Sequence, residues 1–168
     1  RASSVTTCCG QVIADGVVSL FTVSPYVDFT AWCSDKGIDW YIFPWDWRRA
    51  PDDAGAFFLT KFLPHFRQRV QYECNNADPL ADCSIIGHSF GGMVVNWILR
   101  QDDPLLANLR AAITVATPFY GYGGQLHRWF EGEALLNGPF NWWQRGIIEA
   151  ICSFPGCYSL HFMSHATY

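Results

Sequence analysis

Ser89 stands inside the run Ile85-Ile86-Gly87-His88-Ser89-Phe90-Gly91-Gly92-Met93-Val94-Val95, with glycine two residues away on either side. A serine hydroxyl is a weak nucleophile unless the backbone projects it from its surroundings and a base takes its proton. The spacing G-x-S-x-G is that of a nucleophile elbow, a sharp turn from a strand into a helix. Gly87 and Gly91 lack the Cβ atoms expected to crowd such a turn, and Gly92 leaves room for close helix packing. Ser89 is then held in strained backbone geometry with its hydroxyl exposed. The helix that follows aims its N-terminal N–H groups and positive dipole end at the site, and the N–H of Phe90 is the natural donor to an oxyanion. His88 adjoins the serine, but a sharp elbow turns it away from the hydroxyl. It is expected as a buried packing residue of the elbow, with Gly87, Gly91 and Gly92, rather than as the base.

Such a serine needs a strand before it and a helix after it. Residues 83–87 read as a short buried strand and 91–99 as an apolar helix, which Asp102-Asp103-Pro104 ends. Residues 111–116 form the next strand candidate and run into Thr117-Pro118. Upstream, residues 17–23 are β-branched and apolar, residues 26–33 suit a short helix ending near Gly37, and residues 38–43 suit a strand that stops at Pro44. Asp52 and Asp53 are candidate N-caps for a helix in which Phe58, Phe62, Phe66 and Val70 recur along one face. Pro64 interrupts that helix, so a kink or two consecutive helices are expected. Strands alternating with helices predict βαβ units, right-handed crossovers and a mainly parallel sheet in which the strands near Asp39, Ile85 and Ile113 are neighbours.

Beyond Gly121 the periodicity dissolves, and residues 121–143 read as an irregular lid or cap with glycines for mobility. Its bulky aromatics Trp129, Phe130, Phe140, Trp142 and Trp143 suit the apolar underside of a cover that contacts an acyl chain; the alternative is that they close over the core.

Three motifs lie in order along the chain: Phe43-Pro44-Trp45-Asp46-Trp47-Arg48, then Gly87-His88-Ser89-Phe90-Gly91-Gly92, then Ala116-Thr117-Pro118-Phe119-Tyr120-Gly121. Together they resemble the lecithin:cholesterol acyltransferase-like branch of the α/β-hydrolases. There, a Tyr-Asp-Trp-Arg motif ends a strand before the elbow strand, and an Ala-Pro or Thr-Pro turn with a following glycine ends the strand after it. Trp45 occupies the position where the branch usually has Tyr, and the resemblance spans residues 28–158. It implies a three-layer α/β-hydrolase-type sandwich and a serine lipase, esterase or O-acyltransferase of lipid metabolism. The intermediate would be acyl-Ser89, the partner a lipid or acyl ester at a membrane or lipoprotein surface, and no cofactor or metal would be needed. Asp46 and Arg48 are expected to support the loop behind the elbow rather than to contact substrate.

The resemblance also implies a second oxyanion donor from a His-Gly loop upstream, and a triad in the order Ser, Asp or Glu, His. Before Ile38 there are only Gly10, Gly16 and Gly37, and no His. After Ser89 the acids are Asp102, Asp103, Glu131, Glu133 and Glu149, and the histidines His127, His161 and His165. Asp102 and Asp103 are accounted for by a helix end and a turn, and the others by a lid or tail. The catalytic acid and histidine are therefore expected beyond Tyr168, and residues 1–168 as a single partial domain, truncated at both ends and completed by further segments or another chain. The alternative is a non-catalytic lipid-binding or interaction protein that retains the elbow as a relic.

Composition narrows the classes further. A net charge of −4, with Lys and Arg scattered, argues against a nucleic-acid partner. The chain has 17% aromatic and 15% charged residues, which points to aromatic surface facing a lipid or another piece of protein. No apolar run reaches the roughly 18 residues of a transmembrane helix. The chain opens at Arg1-Ala2-Ser3-Ser4 with neither a starting Met nor a signal peptide, and so reads as a processed or truncated piece. Its 7 cysteines show no C-x-x-C spacing, against a metal site. Cys74 with Cys83, and Cys152 with Cys157, would close short loops as disulfides in a secreted or lumenal protein; otherwise they are small buried thiols.

Overall fold

The computed structural model describes residues 26–74, 80–122 and 153–160. The chain divides into two units, residues 1–46 and 47–168.

In the first unit, helix α1 spans Val27–Asp35. Gly37, at φ 67°, turns the chain out of it. The Gly37 N–H donates to the Ser34 carbonyl at 3.0 Å and the Ile38 N–H to the Cys33 carbonyl at 2.9 Å. These are the two bonds of a Schellman end, and they place the stop where the glycine predicted it. Cys33 carries a buried free thiol. Residues 38–46, expected as a strand in their first half, belong to no sheet. An extended segment becomes a strand only by pairing, and the candidate strand at residues 17–23 lies outside the described residues.

The second unit opens with α2 (Pro51–Phe57), which passes through a π turn (Phe58–Phe62) into α3 (Leu63–Cys74). The N-cap is Ala50, with no side-chain cap, and Pro51 takes the first helical turn. Proline's fixed φ favours that position, so Asp52 and Asp53 fall inside the first turn, where they oppose the dipole instead of capping. The interruption expected from Pro64 takes the form of the wide turn just before it. Proline lacks an N–H and its ring crowds the carbonyl four residues back, and a wider winding there relieves both. Phe58 stacks on Phe62 at 5.4 Å and Phe62 on Phe66 at 6.0 Å between ring centroids. Arg67 donates from Nη1 to the Leu105 carbonyl at 2.8 Å, tying α3 to the short 3-10 turn at Pro104–Leu106.

Strand β1 (Ser84–His88), helix α4 (Phe90–Arg100) and strand β2 (Ala111–Val115) follow as a βαβ unit. The two strands form a two-stranded parallel sheet in which Ile85 pairs with Ala112 and Ile86 with Ile113. The ladder is extended at both ends, by Arg110 N–H to the Cys83 carbonyl at 3.0 Å and by Ser89 N–H to the Val115 carbonyl at 2.8 Å. The described residues are thus mixed α/β, and the expected pairing of the strands at Ile85 and Ile113 is present.

Helix α4 sits at the centre of this unit. Its buried residues Gly92, Val94, Val95 and Ile98 follow the helical period, and the helix packs on both strands and on α2. Against α2 the approach is close because Gly55 has no side chain. A Cβ there would overlap Cε3 of Trp97 and lie 2.8 Å from its Cζ3. Among the described residues, Leu63, Leu80 and Ile98 are the largest fully buried side chains. The short helix α5 (Pro155–Tyr158) buries Gly156 and Cys157. Among the described residues no helix is long and apolar enough to cross a membrane.

Candidate functional site

Strand β1 carries the chain to Ser89, and α4 takes it away. Ser89 has φ 52° and ψ −124°. This is the corner that glycine occupies as first central residue of a type II′ turn, and for a residue with a side chain it costs on the order of 1–3 kcal/mol. Two bonds hold it there: its N–H to the Val115 carbonyl, and the Gly92 N–H to its own carbonyl at 3.0 Å. Serine is among the preferred helix N-caps, a role worth about 1 kcal/mol, yet this one makes no capping bond to α4 and is exposed. The local geometry forgoes both the relaxed backbone and the cap, and leaves the hydroxyl at the surface. It sits at the positive end of an 11-residue helix that begins with Phe90.

The glycines divide unequally. A Cβ on Gly87 would stand 2.6 Å from the Gly91 carbonyl oxygen and 2.7 Å from Gly92 Cα, so the strand can reach the helix only without one. A Cβ on Gly92 would overlap Oγ1 of Thr117 and lie 2.7 Å from its Cβ. Gly91, expected to be crowded like Gly87, has nothing within 4 Å of such a Cβ. The turn folds the helix back over the strand's last glycine, and Gly91 lies on the side away from that contact.

His88 also departs from expectation, for it is exposed. Alternation along β1 explains this. Gly87 faces α4, so Ser84, Ile86 and His88 lie on the opposite face of the strand and are exposed. Ile113 and Val115 on β2 share that face and are exposed too.

Trp47 and Arg48, the residues of the Asp46-Trp47-Arg48 motif that belong to the second unit, pack against α5. The Arg48 carbonyl accepts from the Gly156 N–H at 2.9 Å. Its guanidinium lies 5.8 Å above the Phe154 ring, and Trp47 meets the same ring edge-on at 5.6 Å. A Cβ on Gly156 would overlap the Trp47 carbonyl oxygen and lie 2.6 Å from that of Arg49, so the glycine admits this contact. The Tyr122 N–H donates to the Leu160 carbonyl at 2.8 Å, which joins the end of the Thr-Pro turn to the same segment.

Of the acids, Asp103 accepts from the Leu105 N–H at 2.8 Å and caps the 3-10 turn, while Asp102 is exposed with φ 50° at the end of α4. Glu131, Glu133, Glu149, His127, His161 and His165 lie outside the described residues, as do Trp129, Phe130, Phe140, Trp142 and Trp143. So do Cys152 and the side chain of Cys74, and with them one partner of each candidate disulfide. No cluster of metal-ligating side chains occurs among the described residues.

Thr117 was not singled out by its type. Its Oγ1 is buried without a hydrogen-bond partner and packs against the first turn of α4. The signal in the sequence is indirect: a third glycine, Gly92, just past the elbow motif, and a Thr-Pro turn after the next strand. No family model, curated protein or solved structure matches the chain.

Proposed function

We propose that the chain carries the nucleophile of a serine hydrolase or O-acyltransferase acting on lipid esters, within an α/β-hydrolase-type sandwich. The observation that carries this reading is the backbone of Ser89, at φ 52° and ψ −124° between a parallel strand and the helix of a βαβ unit, with an exposed and uncapped hydroxyl. A strained conformation that also forgoes an available cap has a cost in stability and a use in presentation.

In the reaction, Ser89 Oγ attacks the ester carbonyl and its proton passes to a general base. The charge that develops on the carbonyl oxygen is met by the N–H of Phe90 at the positive end of α4. The alcohol leaves with a proton, acyl-Ser89 remains, and water or a second alcohol accepts the acyl group. The lipid nature of the ester rests on the resemblance of the three motifs.

The test is covalent labelling of the full-length protein by a fluorophosphonate, which phosphonylates activated serines. Wild type is expected to label and Ser89→Ala is not; equal labelling of the two overturns the proposal. When the probe is added in the presence of esters, long-chain esters are expected to slow labelling of wild type more than acetyl esters do, as a lipid-directed site requires.

A further inference from the structure

The first turn of α4 is braced by a side chain from another element. Thr117 follows β2, two residues beyond the carbonyl of Val115 that holds the Ser89 N–H at 2.8 Å. Between them Ala116 has φ 50°, so a second residue with a side chain adopts the left-handed region directly beside the first. Left-handed backbone at a non-glycine residue persists only where the surroundings impose it. Three features impose it here. Pro118 restricts the backbone of Thr117. The loop beyond is closed by Phe119 N–H to the Thr117 carbonyl at 2.9 Å and by Gly121 N–H to the Pro118 carbonyl at 3.0 Å. Finally, the Thr117 side chain fills the space that the absent Cβ of Gly92 leaves.

The hydroxyl in that space has no partner. A buried, unsatisfied hydroxyl is unfavourable, so Thr117 does not hold α4 by hydrogen bonding; what remains is its shape. Resting on the reading of Ser89 as nucleophile, we infer that Thr117 is a positioning residue for it. Its side chain, seated against Gly92, locks the end of β2 to the first turn of α4, so that the Val115 carbonyl keeps Ser89 in its strained conformation. Loss of that volume lets the turn after β2 drift, lengthens the Val115–Ser89 bond and allows the serine to relax.

Two readouts in the full-length protein test this: the rate of fluorophosphonate labelling, and amide exchange resolved at Ser89 against the amides of β1. Thr117→Val keeps the volume and removes the orphan hydroxyl, so it is expected to label at the wild-type rate and to melt higher. Thr117→Gly empties the space and is expected to slow labelling about 10- to 100-fold, the scale of a displacement near 1 Å. Exchange at Ser89 should rise while exchange at Ile85 and Ile86 stays unchanged. Gly92→Ala is expected to slow labelling as well, and Gly92→Ala with Thr117→Gly to restore it, since the new methyl takes the vacated space. Thr117→Ser, the mildest truncation, keeps the test open should the glycine variant fail to fold, and is expected to fall between wild type and Thr117→Gly.

The inference is overturned if Thr117→Gly, or Thr117→Ser in its place, leaves Ser89 exchange at the wild-type rate, or loosens Ser89 and β1 alike. It is also overturned if the double variant is no better than Gly92→Ala. Failure of wild type itself to label would refute the nucleophile instead, and the exchange measurement would still decide whether Thr117 holds Ser89.

Discussion

Gly87 and Gly91 flank Ser89 symmetrically in the sequence and asymmetrically in space, so the same substitution is expected to act in opposite directions. At Gly87 the Cβ of alanine would meet the Gly91 carbonyl oxygen at 2.6 Å, Gly92 Cα at 2.7 Å and the Gly91 carbonyl carbon at 2.8 Å. Carbon atoms rest at about 3.5–4.0 Å, so strand and helix must separate by several tenths of an ångström or more. All three neighbours are backbone, and no side-chain rotation relieves the overlap. Overpacking typically costs about 1–3 kcal/mol, and with backbone on the far side the upper end applies. At about 2–4 °C per kcal/mol for a chain of this size, Gly87→Ala should lower Tm by about 6–12 °C. Gly91 lies in a helix with open space around its missing Cβ. There alanine gains about 0.5–1 kcal/mol over glycine, and Gly91→Ala should raise Tm by about 1–4 °C. Calorimetry or urea unfolding of both variants decides the matter. A Gly87→Ala protein that melts with wild type, or a Gly91→Ala protein destabilised as much as Gly87→Ala, would refute the reasoning from contact geometry.

Ser89→Gly should unfold at a higher urea concentration than wild type while losing all fluorophosphonate labelling, because glycine accepts φ 52° without the strain of about 1–3 kcal/mol; a lower midpoint would mean the serine is not strained. Ile98→Ala, at a residue only 1% exposed in the last turn of α4, should cost about 2–5 kcal/mol in the same unfolding experiment, and a cost below about 1 kcal/mol would place the core elsewhere.

The βαβ unit around the elbow was legible because its determinants are local. Apolar runs of the right length are punctuated by Gly87, by Asp102-Asp103-Pro104 and by Thr117-Pro118, and each boundary can be read without its neighbours. The close of α1 at Gly37 was legible for the same reason. What escaped depends on partners. Whether residues 38–43 make a strand is decided by a second strand, and the segment itself carries no sign of one. The start of α2 lies before the expected caps Asp52 and Asp53, because Pro51 fits the first turn better than it fits any position before one. For the site, the motif indicated the strain on Ser89 and the crowding at Gly87. It could not indicate that Gly91 stands clear, or that Thr117 fills the space at Gly92, because both follow from the angle at which the helix leaves the strand. The burial expected of His88 failed for a related reason: alternation puts it on the face opposite α4.

The π turn at Phe58–Phe62 sets where this arm of the protein tolerates a change in length. Ala54, Phe58, Leu63 and Val70 are all buried, on both sides of that turn. In a regular helix each residue advances about 100°, so a step of four overshoots a full revolution by about 40°, and a face repeating every four residues would wind around to solvent. The wide turn carries more residues per revolution and takes some of that overshoot back. In effect it holds one residue more than a regular helix needs. Deleting one residue between 58 and 62 converts the wide turn into an ordinary one and leaves the face of α3 where it is. Deleting one inside α3 rotates everything beyond it by about 100° and turns Val70 out of the core. A one-residue deletion in this helical arm is therefore absorbed at the turn and excluded on its C-terminal side.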